Sequence, residues 1–245
     1  MSGPAPERDD VGGSDGSPLV TVVIMAYNEV ANLEAVMREI FDALHSLGSP
    51  CEILIVDDGS TDGTGELADR LATTTASTRV VHHRPNKGLG GVYRSGFTEA
   101  RGTYVTFFPA DGQFPASIIA DFVQRMPELD MVLGYLPDRK VTALGAVLSW
   151  GERVLYRVMF GPMPLFQGVL MFRRKLLDAS SMRLESQGRG WAVLMEFILR
   201  VSRAGHRITS VPTAFRPRMS GLSKVNNWRT IQANFRQMIA LRQHL

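Results

Sequence analysis

The chain has 245 residues, 44% of them hydrophobic, and a formal net charge of +3 at pH 7. This length and composition suit one sizeable globular domain and exclude a mainly disordered chain. Because no apolar run reaches about 18 residues and the N-terminus lacks the regions of a signal peptide, we expect a cytoplasmic protein without a membrane-spanning helix.

The first half of the chain alternates short apolar runs with helical patterns. Residues 1–17 are mainly Gly, Ser, Pro and Asp and are predicted to form a disordered tail. The predicted strands that follow are 19–26, 52–58, 78–83 and 103–108. The predicted helices are 32–47, a segment from about 63, and 88–100. Apolar strands separated by helices indicate a parallel sheet covered on both faces.

The second half is less regular and more basic. Its predicted elements are an apolar helix over 141–160, a strand over 164–174, a helix over 191–205 and a strand over 206–212. Residues 226–245 form a basic amphipathic pattern, which predicts a helix that lies either on a bilayer surface or on its own domain. From Arg173 onward arginine outnumbers acid, which indicates an anionic partner.

Polar clusters follow each of the first four predicted strands. They are "AYNE" at 26–29, "DDGSTDGT" at 57–64, "RPNKGLGG" at 84–91 and "PADGQ" at 109–113. Each cluster alone is typical of a turn, but adjacent carboxylates such as Asp57 and Asp58 repel each other unless cations or donors offset the cost. Ligands of parallel sheets bind at the carboxyl ends of the strands, so we expect these clusters to line one crevice.

Two common nucleotide-binding motifs are excluded. "GLGGVY" has Tyr93 where the dinucleotide fingerprint requires its third glycine, and the chain contains no P-loop motif. The sequence therefore predicts neither a hydride-transfer enzyme nor a P-loop phosphotransferase.

Six segments together carry a family resemblance. "AYNE", "VDDGSTDGT", "NKGLG", "ADGQ", "WAVLMEF" and "RMSGLSK" occur in this order over residues 18–225. They resemble the family 2 inverting glycosyltransferases, and most closely the dolichyl-phosphate mannose synthases and polyprenyl-phosphate glycosyltransferases. The resemblance implies an α/β GT-A fold, which is a Rossmann-like three-layer sandwich around a mostly parallel sheet. The expected GT-A domain is 18–225, followed by the helix at 226–245.

The resemblance also implies a donor site for a GDP- or UDP-linked sugar. Residues expected to line it are Tyr27, Glu29, Val56, Asp58, Gly88, Gly90 and Ala110. The glycines would let the backbone approach the donor closely. Asp111, with Gln113 nearby, matches the second acid of the family's D-x-D loop, which implies Mg²⁺ or Mn²⁺ bound against the donor phosphates.

Pro109 departs from the family pattern because it stands where the first acid of that loop is expected. Mg²⁺ commonly uses only one or two protein carboxylates together with phosphates and waters, so we expect a working metal site. The alternative is a non-catalytic relative that binds nucleotide without transferring sugar.

The same resemblance implies which residues contact the phosphates of the donor and of the acceptor. Arg218 and Lys224 would clamp diphosphate charge, whereas Arg139 and Arg153 are weaker candidates for an acceptor phosphate. Glu196 matches a family acid. It would act as general base if the acceptor were a hydroxyl, and the alternative is an ion pair with Arg200, four residues on.

We therefore expect a metal-dependent inverting glycosyltransferase acting on a polyprenyl phosphate. The partners expected are a nucleotide sugar, a lipid phosphate and a membrane surface, with no nucleic acid. The protein would then be cytoplasmic and peripheral on the inner face of the membrane. The alternatives are a hydroxyl-directed glycosyltransferase and the non-catalytic relative.

Overall fold

The computed structural model describes residues 17–137, 157–179 and 182–219, together with residues 239, 241 and 242. Its strands are β1 (Val20–Ala26), β2 (Cys51–Asp57), β3 (Thr78–His82), β4 (Tyr104–Pro109), β5 (Met131–Tyr135), β6 (Leu170–Arg173) and β7 (Ile208–Pro212). Its helices are α1 (Leu33–His45), α2 (Thr64–Thr74), α3 (Gly88–Glu99), α4 (Ser117–Val123) and α5 (Ala192–Arg203).

The seven strands found in the described ranges form one sheet in the order β3-β2-β1-β4-β6-β5-β7. β1 pairs in parallel with β2 and β4, β2 with β3, and β5 with β7. Only β6, among these strands, runs antiparallel to its neighbours, β4 and β5. The predicted α/β fold with a mostly parallel sheet is confirmed.

Helices cover both faces of the sheet. Val22 and Ile24 of β1 point into a core shared with α1, α2 and α4, whereas Val23 belongs to a second core shared with α3 and α5. All three side chains are fully buried, as the alternation of a strand between two covered faces requires. The predicted three-layer sandwich is therefore confirmed.

An aromatic cluster fixes α3 on the sheet. The ring of Phe97 lies 5.5 Å from that of Phe107 in β4, 5.8 Å from Phe172 in β6 and 5.1 Å from Phe197 in α5. A Cβ added at Gly96 would lie 2.4 Å from the Phe107 ring, so glycine allows this close approach. The cluster thereby fixes the C-terminal part of α3 against the sheet.

Beyond β4 the structure differs from the predictions at one strand and at one helix. The strand predicted over 164–174 is too long. The observed strand is confined to Leu170–Arg173, because Gly168 has a φ of +110° and packs against the Phe114 ring. Helix α4 was not predicted. Residues 1–16 of the predicted tail and most of the predicted helices at 141–160 and 226–245 lie outside the described residues. Leu241 of the last segment is 2% exposed and belongs to the core on the α3 and α5 face.

Candidate active site

The segments that follow β1, β2, β3 and β4 meet at the carboxyl edge of the sheet, as the sequence predicts. The Asp58 amide donates to the Ala26 carbonyl over 2.8 Å, and the Ala110 amide donates to the Met25 carbonyl over 3.0 Å. The Asn86 side chain donates to the Asp58 carbonyl over 2.6 Å. These bonds hold four separate chain segments around one edge of the sheet.

Arg218 joins the two predicted site acids Glu29 and Asp111. Its Nη2 donates to Asp111 Oδ2 over 2.9 Å, and its Nη1 lies 3.5 Å from Glu29 Oε1. Both carboxylates belong to residues that are only 8% exposed. Asn32 also donates to Glu29 Oε2 over 2.7 Å. Hydrogen bonds between charged groups are stronger in a buried site than at the surface. The contacts of Arg218 with Glu29 and Asp111 therefore hold these side chains in place.

The segment that carries Arg218 lies along the loop that carries Asp111. The Arg216 amide donates to the Gln113 carbonyl over 2.9 Å, and the Met219 amide donates to the Asp111 carbonyl over 3.3 Å. Gly112 has a φ of +71°, and a Cβ added there would lie 2.3 Å from the Met219 sulfur. Backbone contacts thus bring together Asp111 and Arg218, which were each predicted for the site but not as partners of one another. Lys224 lies outside the described residues.

A divalent ion fits this site only if the donor supplies most of its ligands. No group of three His, Cys, Asp or Glu side chains able to hold a metal occurs in the described part of the chain. Asp111 Oδ2 accepts from Arg218, and Oδ1 accepts from the Gln113 amide over 3.1 Å. Pro109 ends β4 and offers no side-chain oxygen. One carboxylate with phosphates and waters can satisfy Mg²⁺, whereas an all-protein cage cannot be built from these residues.

Two histidines that the sequence analysis missed stabilise the adjacent acids of the second cluster. His82 Nδ1 lies 2.9 Å from Asp57 Oδ2, and His83 Nδ1 lies 2.7 Å from Asp58 Oδ1. The signal was present, because β2 and β3 are neighbouring parallel strands and Asp57 pairs in register with His82. These donors offset the repulsion between the two carboxylates.

In the pair of Asp57 and His82, the pKa of each side chain is shifted in the direction that favours its charged form. Burial alone would raise the pKa of Asp57, but hydrogen bonds from Ser60 and His82 lower it below its usual value. The hydrogen bond with Asp57 raises the pKa of His82 above its usual value, against the opposing effect of burial. The pair is therefore held as an ion pair over a wider pH range than isolated side chains would be.

The other predicted donor residues differ in accessibility. Tyr27 is 40% exposed at the end of β1, where its ring can meet a ligand. Val56 and Ala110 are buried with their side chains in the two cores, so any contact that they make with a donor involves the backbone.

The close approach expected at Gly88 and Gly90 exists, but the atoms involved belong to the chain itself. A Cβ added at Gly88 would lie 2.5 Å from the Arg189 carbonyl oxygen, and one added at Gly90 would lie 2.1 Å from that of Gly188. The Gly90 amide donates to the Arg189 carbonyl over 2.8 Å. Residues 188–190 therefore account for glycine at both positions, and the approach of a donor to this stretch of backbone stays a prediction.

Glu196 is a fully buried anchor for the segment that leads into residues 188–190. Its Oε1 accepts from the Glu185 amide over 2.9 Å and from Arg200 Nη2 over 2.8 Å, and its Oε2 accepts from the Ser186 amide over 2.7 Å. Burial alone would raise the pKa of Glu196, but these donors lower it below its usual value. A general base needs a pKa near the working pH, so the geometry favours the ion-pair alternative.

The residues expected to recognise the acceptor are described only in part. Arg139 and Arg153, the weaker candidates for an acceptor phosphate, lie outside the described residues. Before β6, the Gln167 side chain accepts from the Leu136 amide over 3.2 Å, and Leu165 is 57% exposed.

In the part of the chain that is described, no helix has the length and apolar character needed to cross a membrane.

Comparisons with known proteins identify the family. The model described as Glycosyl transferase family 2 matches residues 21–177. The chain is 31% identical over 218 residues to an undecaprenyl-phosphate mannosyltransferase from Micrococcus luteus, covering 84% of this chain and 87% of that protein. It is 29% identical to a polyprenol monophosphomannose synthase from Mycolicibacterium smegmatis, covering 94% of this chain and 91% of the relative.

A solved structure supports the fold. Glucosyl-3-phosphoglycerate synthase from Mycobacterium tuberculosis, in complex with Mn²⁺, UDP and glucosyl-3-phosphoglycerate, superposes with a TM-score of 0.65 at 21% identity. The superposition covers 98% of this chain and 84% of that one. The resemblance seen in the sequence motifs is thus confirmed by family, relatives and fold. The chain belongs to glycosyl transferase family 2 and is a glycosyltransferase with a GT-A fold.

Proposed function

We propose that this glycosyltransferase moves a sugar from a GDP- or UDP-linked donor to the phosphate of a polyprenyl phosphate, with inversion at the anomeric carbon. Two relatives that match most of the chain are named for mannosyl transfer, one to undecaprenyl phosphate and one to form polyprenol monophosphomannose. The structural observation that carries the proposal is the contact of Arg218 with Asp111 at the carboxyl edge. Since such an acceptor is anchored in a bilayer, we expect the chain to work at the cytoplasmic surface of a membrane.

The donor diphosphate has a charged partner in this arrangement. Arg218 carries a fixed positive charge between Glu29 and Asp111, and its guanidinium can exchange a carboxylate for a phosphate because both match its fork of donors. Lys224, six residues further along the chain, is proposed as a second cation for the same charge.

Asp111 would hold Mg²⁺ or Mn²⁺, with the diphosphate completing the ligand set and Gln113 nearby. When bound, such an ion neutralises negative charge on the leaving nucleoside diphosphate. The superposed synthase was crystallised with both Mn²⁺ and UDP, and this likeness supports the proposal of a metal-bound nucleotide in this chain.

The transfer needs no general base when the acceptor is a phosphate. A phosphate oxygen that already carries negative charge attacks the anomeric carbon from the face opposite the diphosphate. The new bond joins that carbon to the acceptor oxygen, the bond to the diphosphate breaks, and the nucleoside diphosphate leaves. Glu196 has a lowered pKa and is occupied by backbone amides and Arg200, which favours this reaction over transfer to a hydroxyl.

Pro109 keeps the non-catalytic alternative open, because the site has one carboxylate where the family loop has two. That alternative predicts nucleotide binding with no transfer to any acceptor.

Transfer assays separate these functions. Purified protein is incubated with Mn²⁺, undecaprenyl phosphate in detergent, and GDP- or UDP-sugars in turn, and the lipid product is quantified and its anomeric configuration determined. We expect one donor to give an inverted lipid-phosphate sugar, and Asp111→Asn to lower that rate about 100-fold because charge stabilisation at the leaving group is lost.

The control is Asp121→Asn, which removes an exposed acid from neighbouring helix α4 and is expected to leave the rate unchanged. Donor binding without transfer over the whole panel would favour the non-catalytic alternative. Efficient transfer to a polyprenol that lacks the phosphate would favour the hydroxyl-directed enzyme.

A further inference from the structure

We infer that His83 is a positioning residue for the nucleoside half of the donor, acting through Asp58. It holds one oxygen of Asp58 so that the other remains available to a single hydrogen-bond donor of the ligand. This inference deepens the proposed function and rests on it, because it names how the nucleoside would be held in the same site.

The placement of His83 is fixed on both sides of its ring. The residue is 1% exposed, its Nδ1 lies 2.7 Å from Asp58 Oδ1, and its Nε2 lies 2.8 Å from the Ser95 hydroxyl in α3. A carboxylate can only accept, so Nδ1 must carry a proton. In the neutral ring Nε2 then accepts from Ser95, and α3 sets the angle at which the ring meets Asp58.

Asp58 is held on one oxygen only. The Lys87 amide also donates to Oδ1, over 2.8 Å, whereas Oδ2 accepts no hydrogen bond from any of the residues that the structure describes. The Asp58 side chain is 5% exposed, so little water reaches it. A buried carboxylate oxygen without a donor costs free energy, and a ligand that supplies the donor recovers that cost.

The chemistry of Oδ2 limits what it recognises. One open oxygen suits one N–H of a base or one O–H of a ribose, whereas paired recognition of two adjacent N–H groups would need both oxygens of the carboxylate. Asp58 directly follows β2, at the edge where Glu29 and Asp111 also lie. The inferred contact therefore places the nucleoside beside β2 and β3 and leaves the diphosphate for Arg218.

The test compares two substitutions of similar size at His83. An asparagine places its amide nitrogen near the position of Nδ1 and keeps the donor to Asp58, whereas a glutamine places it near Nε2 and loses that donor. Binding of UDP, GDP, ribose 5-diphosphate and pyrophosphate, each with Mn²⁺, is measured by isothermal titration calorimetry for the wild type and both variants.

We expect His83→Gln to weaken the binding of the preferred nucleoside diphosphate about tenfold and to leave pyrophosphate binding within about twofold. His83→Asn should restore affinity to within about threefold of the wild type. If Asp58 contacts the ribose, His83→Gln should weaken the binding of ribose 5-diphosphate as much as that of the nucleotide. If Asp58 contacts the base, the binding of ribose 5-diphosphate should be unchanged. In an Asp58→Asn background, His83→Gln should have no further effect, because the two residues act as one unit.

Several results would overturn the inference. A core role for His83 predicts equal losses for pyrophosphate and nucleotide, or additive effects with Asp58→Asn. Unchanged nucleotide binding by His83→Gln rejects the inference alone. If the wild type binds no nucleoside diphosphate, the proposed function is rejected together with it.

Discussion

At the scale of single residues, Glu196 shows how a carboxylate that resembles a catalytic acid can instead be structural. It is fully buried, it accepts from two backbone amides, and it pairs with Arg200 one helical turn away. The same spacing occurs at the surface between Glu34 and Arg38, which are 3.0 Å apart and mostly exposed. Both are Glu–Arg pairs four residues apart on a helix, and they differ in burial. The exposed pair therefore serves as a control for the effect of burial on the pair of Glu196 and Arg200.

Glu196→Gln is expected to lower the free energy of unfolding at neutral pH by about 3 kcal/mol, because it leaves Arg200 and two amides with a poorer acceptor in a buried site. Since the folded-state pKa of Glu196 is lowered, the carboxylate stabilises the fold above its usual pKa, and that stabilisation is lost as pH falls through the folded-state pKa. The difference between wild type and variant should therefore shrink in acid. Urea unfolding at several pH values measures it.

The matched control, Glu34→Gln, should cost less than about 0.5 kcal/mol, since exposed pairs contribute little. Transfer to polyprenyl phosphate by folded Glu196→Gln should stay close to that of the wild type. A hundredfold loss of turnover in a stable variant would instead support the general-base alternative.

At the scale of elements, the start of α3 is fixed by a segment far from it in sequence. Residues 188–190 lie against Gly88 and Gly90, and Arg189 also donates to the Asn86 carbonyl over 2.8 Å. Glu196 holds residues 185 and 186 at the other end of this segment. Helix α5 is thereby linked to the loop after β3, where Asn86 and Lys87 contact Asp58.

Gly90→Ala tests this link. The added methyl would lie 2.1 Å from the Gly188 carbonyl oxygen, so residues 188–190 must move away. We expect the free energy of unfolding to fall by about 2 kcal/mol, as for other overpacked sites. Hydrogen exchange of the residue 90 amide should also become faster, because its bond to the Arg189 carbonyl is broken.

Leu89→Ala on the same helix is the control, because Leu89 is 39% exposed and the substitution favours helix formation. Its cost should be below about 0.5 kcal/mol. Equal protection of the residue 90 amide in Gly90→Ala and the wild type would contradict the proposed link.

The first four strands and the helices between them could be predicted from sequence because short apolar runs mark the strands and helical patterns mark the segments between them. The strand at 164–174 could not be delimited, since its apolar residues continue through Gly168, whose left-handed backbone is set by packing against Phe114. Helix α4 has only 7 residues, which is too short for a periodic pattern to distinguish it from a turn. Local patterns therefore predict elements, but their bounds depend on tertiary contacts.

At the scale of the whole molecule, the position of the site follows from the topology. Parallel strands place their carboxyl ends at one edge, so the convergence of the first four clusters was predictable. The contact of Arg218 with Glu29 and Asp111 was not, because it joins residues more than a hundred positions apart along the chain. The family resemblance identified these residues, and only the folded chain shows them paired with one another.

That pairing leads to a prediction about how the ligands stabilise the fold. Mn²⁺ alone should raise the melting temperature very little, because Asp111 is the one carboxylate proposed as a metal ligand and its Oδ2 already accepts a hydrogen bond from Arg218. A nucleoside diphosphate together with Mn²⁺ should raise it by more than the sum of the separate shifts, since the phosphates supply the missing ligands and offer Arg218 another anion. Any ligand that binds only the folded state raises its apparent stability, so differential scanning fluorimetry measures these shifts.

Arg218→Ala distinguishes this explanation from a preformed metal site. Without the guanidinium, Glu29 and Asp111 lose the cation that they share, so Mn²⁺ alone should stabilise the variant more than it stabilises the wild type. The combined shift should nevertheless fall, because the diphosphate loses a charged partner. Arg38→Ala, which removes an exposed arginine of α1, should behave as the wild type in both measurements. A large shift of the wild type with Mn²⁺ alone would show that the metal needs no phosphate, and that Arg218 does not compete for Asp111.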